Sequence, residues 1–167
     1  VKPEDVDRVR IIAGTRPIEH TGDPAKKYPT NKETADHSSY YLTAIAIVDR
    51  TVGPGQYQPW KYKDPNVLQL IDRITLEIDP EMDKLPRSGM SEITTKDGKR
   101  YTSRIDYPKG DPKNSMSDRE LEDKFTSMVS KFMSVKQMEK VIETVYQLET
   151  LDNIDNLMKQ LIFEGRG

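Results

Sequence analysis

The apolar residues of this chain change character after about residue 107, and that change divides it. Before about residue 107 the clearest patterns alternate. Val9 and Ile11 share one face of a run from Val6 to Ile12, and Ile74, Leu76 and Ile78 form a second run that stops at Asp79-Pro80. From Ser117 onward alternation ceases. Leu121, Phe125, Met128 and Phe132 recur at helical spacing, followed by Met138, Val141, Val145 and Leu148, and then by Ile154, Leu157, Met158 and Leu161. A period of two puts side chains on one face of a strand, and a period of three to four puts them on one face of a helix. The expected fold class is therefore α+β, followed by an all-helical segment of three helices. The boundaries expected are residues 1–107 for the α+β domain, 108–116 for a linker and 117–167 for the helical tail.

Local signals refine this outline. Asp97-Gly98, between Met90–Thr95 and Arg100–Ile105, is the strongest short hairpin signal. A two-residue turn there would set Lys96 opposite Lys99 and Ile93 opposite Thr102. The sheet is expected to be antiparallel and packed with two helices. The first runs from Thr34 to Thr51 and is stopped by Gly53-Pro54-Gly55. The second opens at Asp64-Pro65, an N-cap followed by proline at the first helical position, and carries Val67, Leu68 and Ile71. Gly14 to Lys32, with three prolines and Gly22, reads as a long loop, and so does Glu81 to Gly89. In the tail, Ser117 with Glu120 forms a capping box, Ser134 with Gln137 repeats it, and Asp152 or Asn153 opens the third helix. Each tail helix has an apolar stripe that must be covered, and three short helices alone make a thin core. The tail is therefore expected to leave apolar residues bare, to be met by a second copy or by a helical partner chain.

Composition narrows the function classes. The net charge is −2, and no basic cluster interleaved with aromatics occurs, so nucleic acid is not an expected partner. There is no cysteine, which removes disulfides and thiolate metal sites and fits a reducing, cytoplasmic setting. The two histidines lie far apart in sequence, against a histidine-rich metal site, so no metal is expected. No apolar stretch reaches the roughly 18 residues of a membrane span, and no signal peptide is evident.

The segment Thr34-Ala35-Asp36-His37-Ser38-Ser39-Tyr40-Tyr41 runs into the most apolar stretch of the chain, Ala44 to Val48. That places an aspartate, a histidine and a serine at the expected start of a buried helix, where unpaired N–H groups favour anions. His37 could be an acid, a base or an anion anchor. Equally, it could bond a backbone carbonyl and do nothing else. Asp36 could orient His37, or serve only as a charge near the helix dipole. Ser38 is flanked by no nucleophile motif. Of Tyr40 and Tyr41, only one can face a site, because neighbouring helical residues point apart. Lys26 and Lys27 could meet substrate carboxylates or be merely solvated, and Arg87 beside Ser88-Gly89 is a further anion-clamp candidate.

Several separated stretches together resemble one family. They are Lys27-x-Pro29, Glu33-Thr34-Ala35-Asp36-His37-Ser38 with Tyr41, the run ending Val48-Asp49, and Gln56-Tyr57. Asp64-Pro65-x-Val67, Asp97-Gly98, Tyr107-Pro108-Lys109-Gly110-Asp111-Pro112-x-Asn114, Leu121-x-x-Lys124-Phe125 and Leu148-Glu149-x-Leu151 follow in order. The chain resembles the C-terminal half of the 2-methylcitrate dehydratase (MmgE/PrpD) family, from about residue 4 to residue 162. The resemblance implies a helical domain upstream, a smaller α+β domain, and last helices that return to the helical one. It implies lyase chemistry on a di- or tricarboxylic acid, in the setting of propionate metabolism, with no cofactor. It implies His37 and Asp36 as catalytic residues, and Ser38, Tyr41 and Lys27 as substrate-binding ones. Most catalytic residues would then come from a helical N-terminal half, so that this chain is inactive alone, as a split subunit. A non-catalytic association module of the same fold is the alternative. Ser39-Tyr40, where the family usually has Leu-Pro, and Ser115, where it usually has Pro, put substrate identity in doubt but leave the fold unaffected.

Overall fold

In the computed structural model of the chain, which describes residues 1–85 and 87–162, the polypeptide forms two compact units, divided between Asn114 and Ser115. Pro86, in the expected loop before the hairpin, and the last five residues of the expected tail lie outside the described residues.

The first unit is built on four strands: β1 (Val6–Ala13), β2 (Ile74–Ile78), β3 (Gly89–Thr95) and β4 (Arg100–Ile105), in the order β2-β1-β3-β4. The α+β class holds, but the sheet is mixed. β1 runs parallel to β2, with Val9 opposite Ile74 and Ala13 opposite Ile78, while β1–β3 and β3–β4 are antiparallel. The reason lies in the connection. Parallel strands need a long crossover, and the segment between β1 and β2 supplies one made of helices. Val6 and Val9 are both fully buried although three residues apart. A register shift between Val6 and Arg8 lets both side chains reach the same core despite the alternation of a regular strand.

Four helices lie in that crossover: α1 (Thr15–Thr21), α2 (Lys32–Asp36), α3 (Ser39–Asp49) and α4 (Pro65–Ile71). Ala44 and Ile45 of α3 and Val67, Leu70 and Ile71 of α4 pack on Val6, Val9 and Ile74 to make the core. α4 begins as its sequence indicates, with Asp64 accepting from the Asn66 amide at 3.0 Å and Pro65 in the first turn. At the far end of the core, Lys61 is nearly buried between Asp49 at 2.7 Å and Asp64 at 3.3 Å. That pair of contacts ties the end of α3 to the start of α4.

Three expectations need correction. First, the Gly14–Lys32 segment is not a loop, since α1 occupies its start. The Thr15 amide and hydroxyl both donate to Asp83, at 2.7 Å each. The cap comes from 68 residues away, so no local pattern announces it. A Cβ at Gly14 would meet the Asp83 carboxylate and push it away from Thr15. Second, the expected helix Thr34–Thr51 is two helices, broken at His37-Ser38. Third, the hairpin loop has three residues. Ile93 faces Tyr101, Gly98 takes a left-handed φ of 82°, and Thr95 donates its N–H to the Lys99 carbonyl at 2.9 Å. The Asp97 carboxylate accepts from the Thr95 hydroxyl at 2.5 Å, which steadies the longer loop.

The second unit contains α5 (Asp118–Val129), α6 (Val135–Tyr146) and α7 (Asp155–Gln160). The Ser117 hydroxyl accepts from the Glu120 amide at 3.3 Å, while the Ser117 amide donates to the Glu120 carboxylate at 2.8 Å. The Ser134 hydroxyl accepts from the Gln137 amide at 3.2 Å, and Asn153 accepts from the Asp155 amide at 2.8 Å. The core is small: Met133, Met138 and Val141, with Phe125, Val129, Leu157 and Leu161 around them. Phe132, Val135 and Ile162 are each about two-thirds exposed (69%, 66% and 67%), and Leu121, Ile154 and Met158 about half. No helix among the described residues is long and apolar enough to cross a membrane.

Candidate functional site

The candidate site forms where α2 ends. Asn31 caps α2 by accepting from the Thr34 amide at 2.9 Å. The helix lasts only five residues, and His37 is its C-terminal cap residue. His37 therefore does not sit at the N-terminus of a long helix, as its sequence context suggests. That place belongs to Ser38, whose hydroxyl accepts from the Tyr41 amide at 3.2 Å and starts α3. One of the anion-favouring amides, that of Tyr41, is thus engaged by Ser38, and His37 stands at the carbonyl end of α2. A cation is favoured there.

The His37 ring is held on one side. Its Nδ1 lies 3.0 Å from the Glu33 carbonyl oxygen and 2.6 Å from Asp36 Oδ1. A carbonyl can only accept, so Nδ1 carries the proton and Nε2 is left for chemistry. The Glu33 carbonyl, and then the Asp36 carboxylate, raise the His37 pKa above its usual range. Asp36 is held below the usual carboxylate range, first by Lys32 at 2.6 Å and then by His37. Lys32 also sits 5.5 Å from the Tyr57 ring centroid. The result is a relay of Lys32, Asp36 and His37 on one helical turn, with the imidazole 42% exposed. His37 thus bonds a backbone carbonyl and is also held by Asp36, which stands at the end of α2 and not at a helix N-terminus.

Glu33, Asp36 and His37 each offer a ligand atom within 4.8 Å of the others.

The remaining expected site residues part company. Ser38 is fully buried, and its oxygen caps α3. Tyr41 is buried too. Its hydroxyl donates to the Gln56 carbonyl at 2.5 Å, its ring packs edge-on against Tyr62 at 5.6 Å, and burial raises its pKa far above the usual value. Both are core residues of this unit: the Ser38 oxygen serves as an acceptor and the Tyr41 hydroxyl as a donor within the fold. The physical reason is the helix break, which turns the residues after His37 inward. Lys27 is 3.9 Å from Asp72 and stacks near the rings of Tyr28 and Tyr40 at 5.5 and 5.8 Å. It anchors its loop against the end of α4, where Tyr28 also hydrogen-bonds Asp72, and it does not join the Asp36–His37 pair.

One residue beside His37 escaped sequence reasoning. His20, in the last turn of α1, meets His37 edge-to-face with ring centroids 5.5 Å apart. The two histidines are distant in sequence and adjacent in space. A helical reading of the 15–21 segment would have been the only clue. His20 also lines an open groove of about 820 Å³ with Arg16, Pro17, Glu19, Asp83 and Arg87.

Comparison with known proteins gives this geometry a family context. The MmgE/PrpD C-terminal domain model matches residues 1–149. The chain is similar to human cis-aconitate decarboxylase, with 27% identity over 148 residues, which cover 86% of this chain and 30% of that protein. It is similar to the mouse cis-aconitate decarboxylase, with 25% identity over 154 residues, covering 91% and 31% respectively. The chain thus spans about a third of the length of these curated relatives.

Proposed function

The chain belongs to the MmgE/PrpD family through its C-terminal domain, and on that footing we propose that it is the C-terminal part of a lyase acting on a di- or tricarboxylic acid. Members of that family include lyases, and the relatives found carry the name of a decarboxylase. The reading assigned here is a carbon–oxygen lyase of the 2-methylcitrate dehydratase type. One observation carries it: a half-open imidazole, fixed through Nδ1 by Asp36 and the Glu33 carbonyl, with Nε2 unengaged among the described residues. That arrangement suits proton transfer at a carbon next to a carboxylate. His37 takes the proton, the electron pair forms the double bond, and hydroxide leaves with a proton supplied by an acid.

The relay also suits a cationic His37 that holds a carboxylate. Its position at a helix C-terminus and beside Asp36 stabilises the protonated ring. Either way, His37 contacts substrate and Asp36 is its positioning residue. Among the described residues, the Glu33 carboxylate lies 3.9 Å from His37 Nδ1 and His20 is in ring contact with it. The chain spans about a third of its relatives' length, so further catalytic groups are assigned to a helical segment or a second copy, for which the exposed apolar residues of the α5–α7 unit supply surface.

The test is turnover of 2-methylcitrate and cis-aconitate by this chain, alone and combined with the helical half. The chain alone should be inactive. In the combined enzyme, His37→Gln should lower kcat by about 10²- to 10⁴-fold. Normal kinetics in that variant would refute the proposal. Release of carbon dioxide without water elimination would move the assignment from dehydration to decarboxylation.

A further inference from the structure

We propose that the groove between α1 and the turn before β3 is a carboxylate-binding subsite that opens onto His37 through His20. This inference rests on the lyase reading above and names the subsite that reading leaves unassigned. Three observations support it. The groove is open and large enough for a tricarboxylic acid, at about 820 Å³. Its lining holds two guanidinium groups, Arg16 and Arg87. Arg16 makes no hydrogen bond or ion pair among the described residues, and Arg87 has only a long, 3.9 Å approach to Asp111. Its third basic group, His20, is the residue in ring contact with His37.

The lining also holds two acidic residues, so selectivity for a carboxylate rests on the geometry of the two guanidinium groups and not on net charge. Both oxygens of Asp83 accept from Thr15, which anchors that carboxylate at the start of α1. Glu19 is the other anion, and it has no partner among the described residues. Guanidinium groups match planar carboxylates in two-bond geometry, which favours Arg16 and Arg87 as the binding cations. A substrate with two or three carboxylates can span such cations while its reacting carbon approaches the imidazoles. A monocarboxylate cannot.

The rigid support of α1 is consistent with this role. Asp83 holds its start, and the His20 carbonyl accepts from Lys26 Nζ at 2.5 Å at its end. His20 is thereby fixed between groove and site by contacts that do not use its ring nitrogens.

The experiment is a citrate titration of the whole chain, followed through the imidazole nitrogens of His20 and His37, with acetate and sulfate at matched ionic strength. Citrate should shift His20 saturably and more tightly than either control. Arg16→Ala and Arg87→Ala should each weaken citrate binding about tenfold, and Glu19→Gln should tighten it. Both arginines are exposed, so circular dichroism should show these variants folded. A response to citrate no stronger than to sulfate, or unchanged affinity in the double arginine variant, overturns the subsite. In the combined enzyme the arginine variants should act mainly on KM. Loss of kcat in His37→Gln with KM unmoved in the arginine variants overturns the subsite and leaves the lyase reading intact. Full kcat in His37→Gln with arginine-dependent citrate binding intact would refute the lyase reading alone.

Discussion

The sheet unit and the helical unit start their helices with the same chemistry but fill their cores very differently. Asp64 opens α4 and Ser117 opens α5 by the same device, a side-chain oxygen on a free amide. Behind α4 lies a continuous core in which Val6, Val9, Ile45, Val67 and Ile71 are fully buried. Behind α5 lies a cluster of two methionines and a valine, with Phe125 and Leu157 only partly covered. Capping decides where a helix begins, and burial decides how firmly it is held. The first unit is accordingly a platform that can fix an imidazole to within hydrogen-bond tolerances. The second is a set of well-delimited helices with apolar surface left to be covered.

That contrast can be broken most sharply in the cores. Ile45→Ala should destabilise the first unit by about 3–5 kcal/mol, because it deletes a fully enclosed side chain. Met138→Ala should cost no more than about 2 kcal/mol, since its surroundings are partly open and can relax. Thermal or denaturant unfolding followed separately in the two units would check this, and equal losses would dissolve the distinction. Ser117→Ala is a finer probe. It should cost about 1 kcal/mol of helix stability and raise amide exchange in the first turn of α5 while leaving β1 and β3 unaffected.

The smallest effect expected is the pH dependence of the α2 turn. The His37 pKa is raised in the fold above its ordinary 6.5. A group stabilised in its charged form contributes fully below its unfolded pKa and loses that contribution as pH rises through the folded pKa. Wild type should therefore lose a little stability between pH 6.5 and the higher folded value, and His37→Gln should not. Opposite slopes would mean that the ring is held neutral, contrary to its bonds with Asp36 and the Glu33 carbonyl.

Much of the architecture was legible because it is written locally. The switch from alternating to helical period marks the two kinds of unit, and Asp64-Pro65, Ser117 with Glu120 and Asp97-Gly98 each announce an element at its own position. The family was marked by several separated motifs in order, from Lys27-x-Pro29 and Asp36-His37-Ser38 to Leu148-Glu149-x-Leu151. The mixed sheet was less legible. Only the helices that separate the β1 and β2 runs hint at a parallel pair, and strand direction depends on how that crossover packs.

What escaped the sequence are the features set by distant partners. α1 exists because Asp83 reaches back to Thr15, across 68 positions, and its only local sign is a proline in the first turn. The break at His37-Ser38 turns Tyr41 into the core and leaves His37 outside it, a division that the uninterrupted apolar run conceals. The meeting of His20 with His37, and of Arg16 with Arg87 around one groove, follows from α1 lying beside α2 and the turn before β3. Period and caps are properties of neighbours along the chain, so sequence alone could establish them. Which imidazole faces which, and which hydroxyl is sealed away, are properties of neighbours in space, and only the packing of the sheet against its crossover decided them.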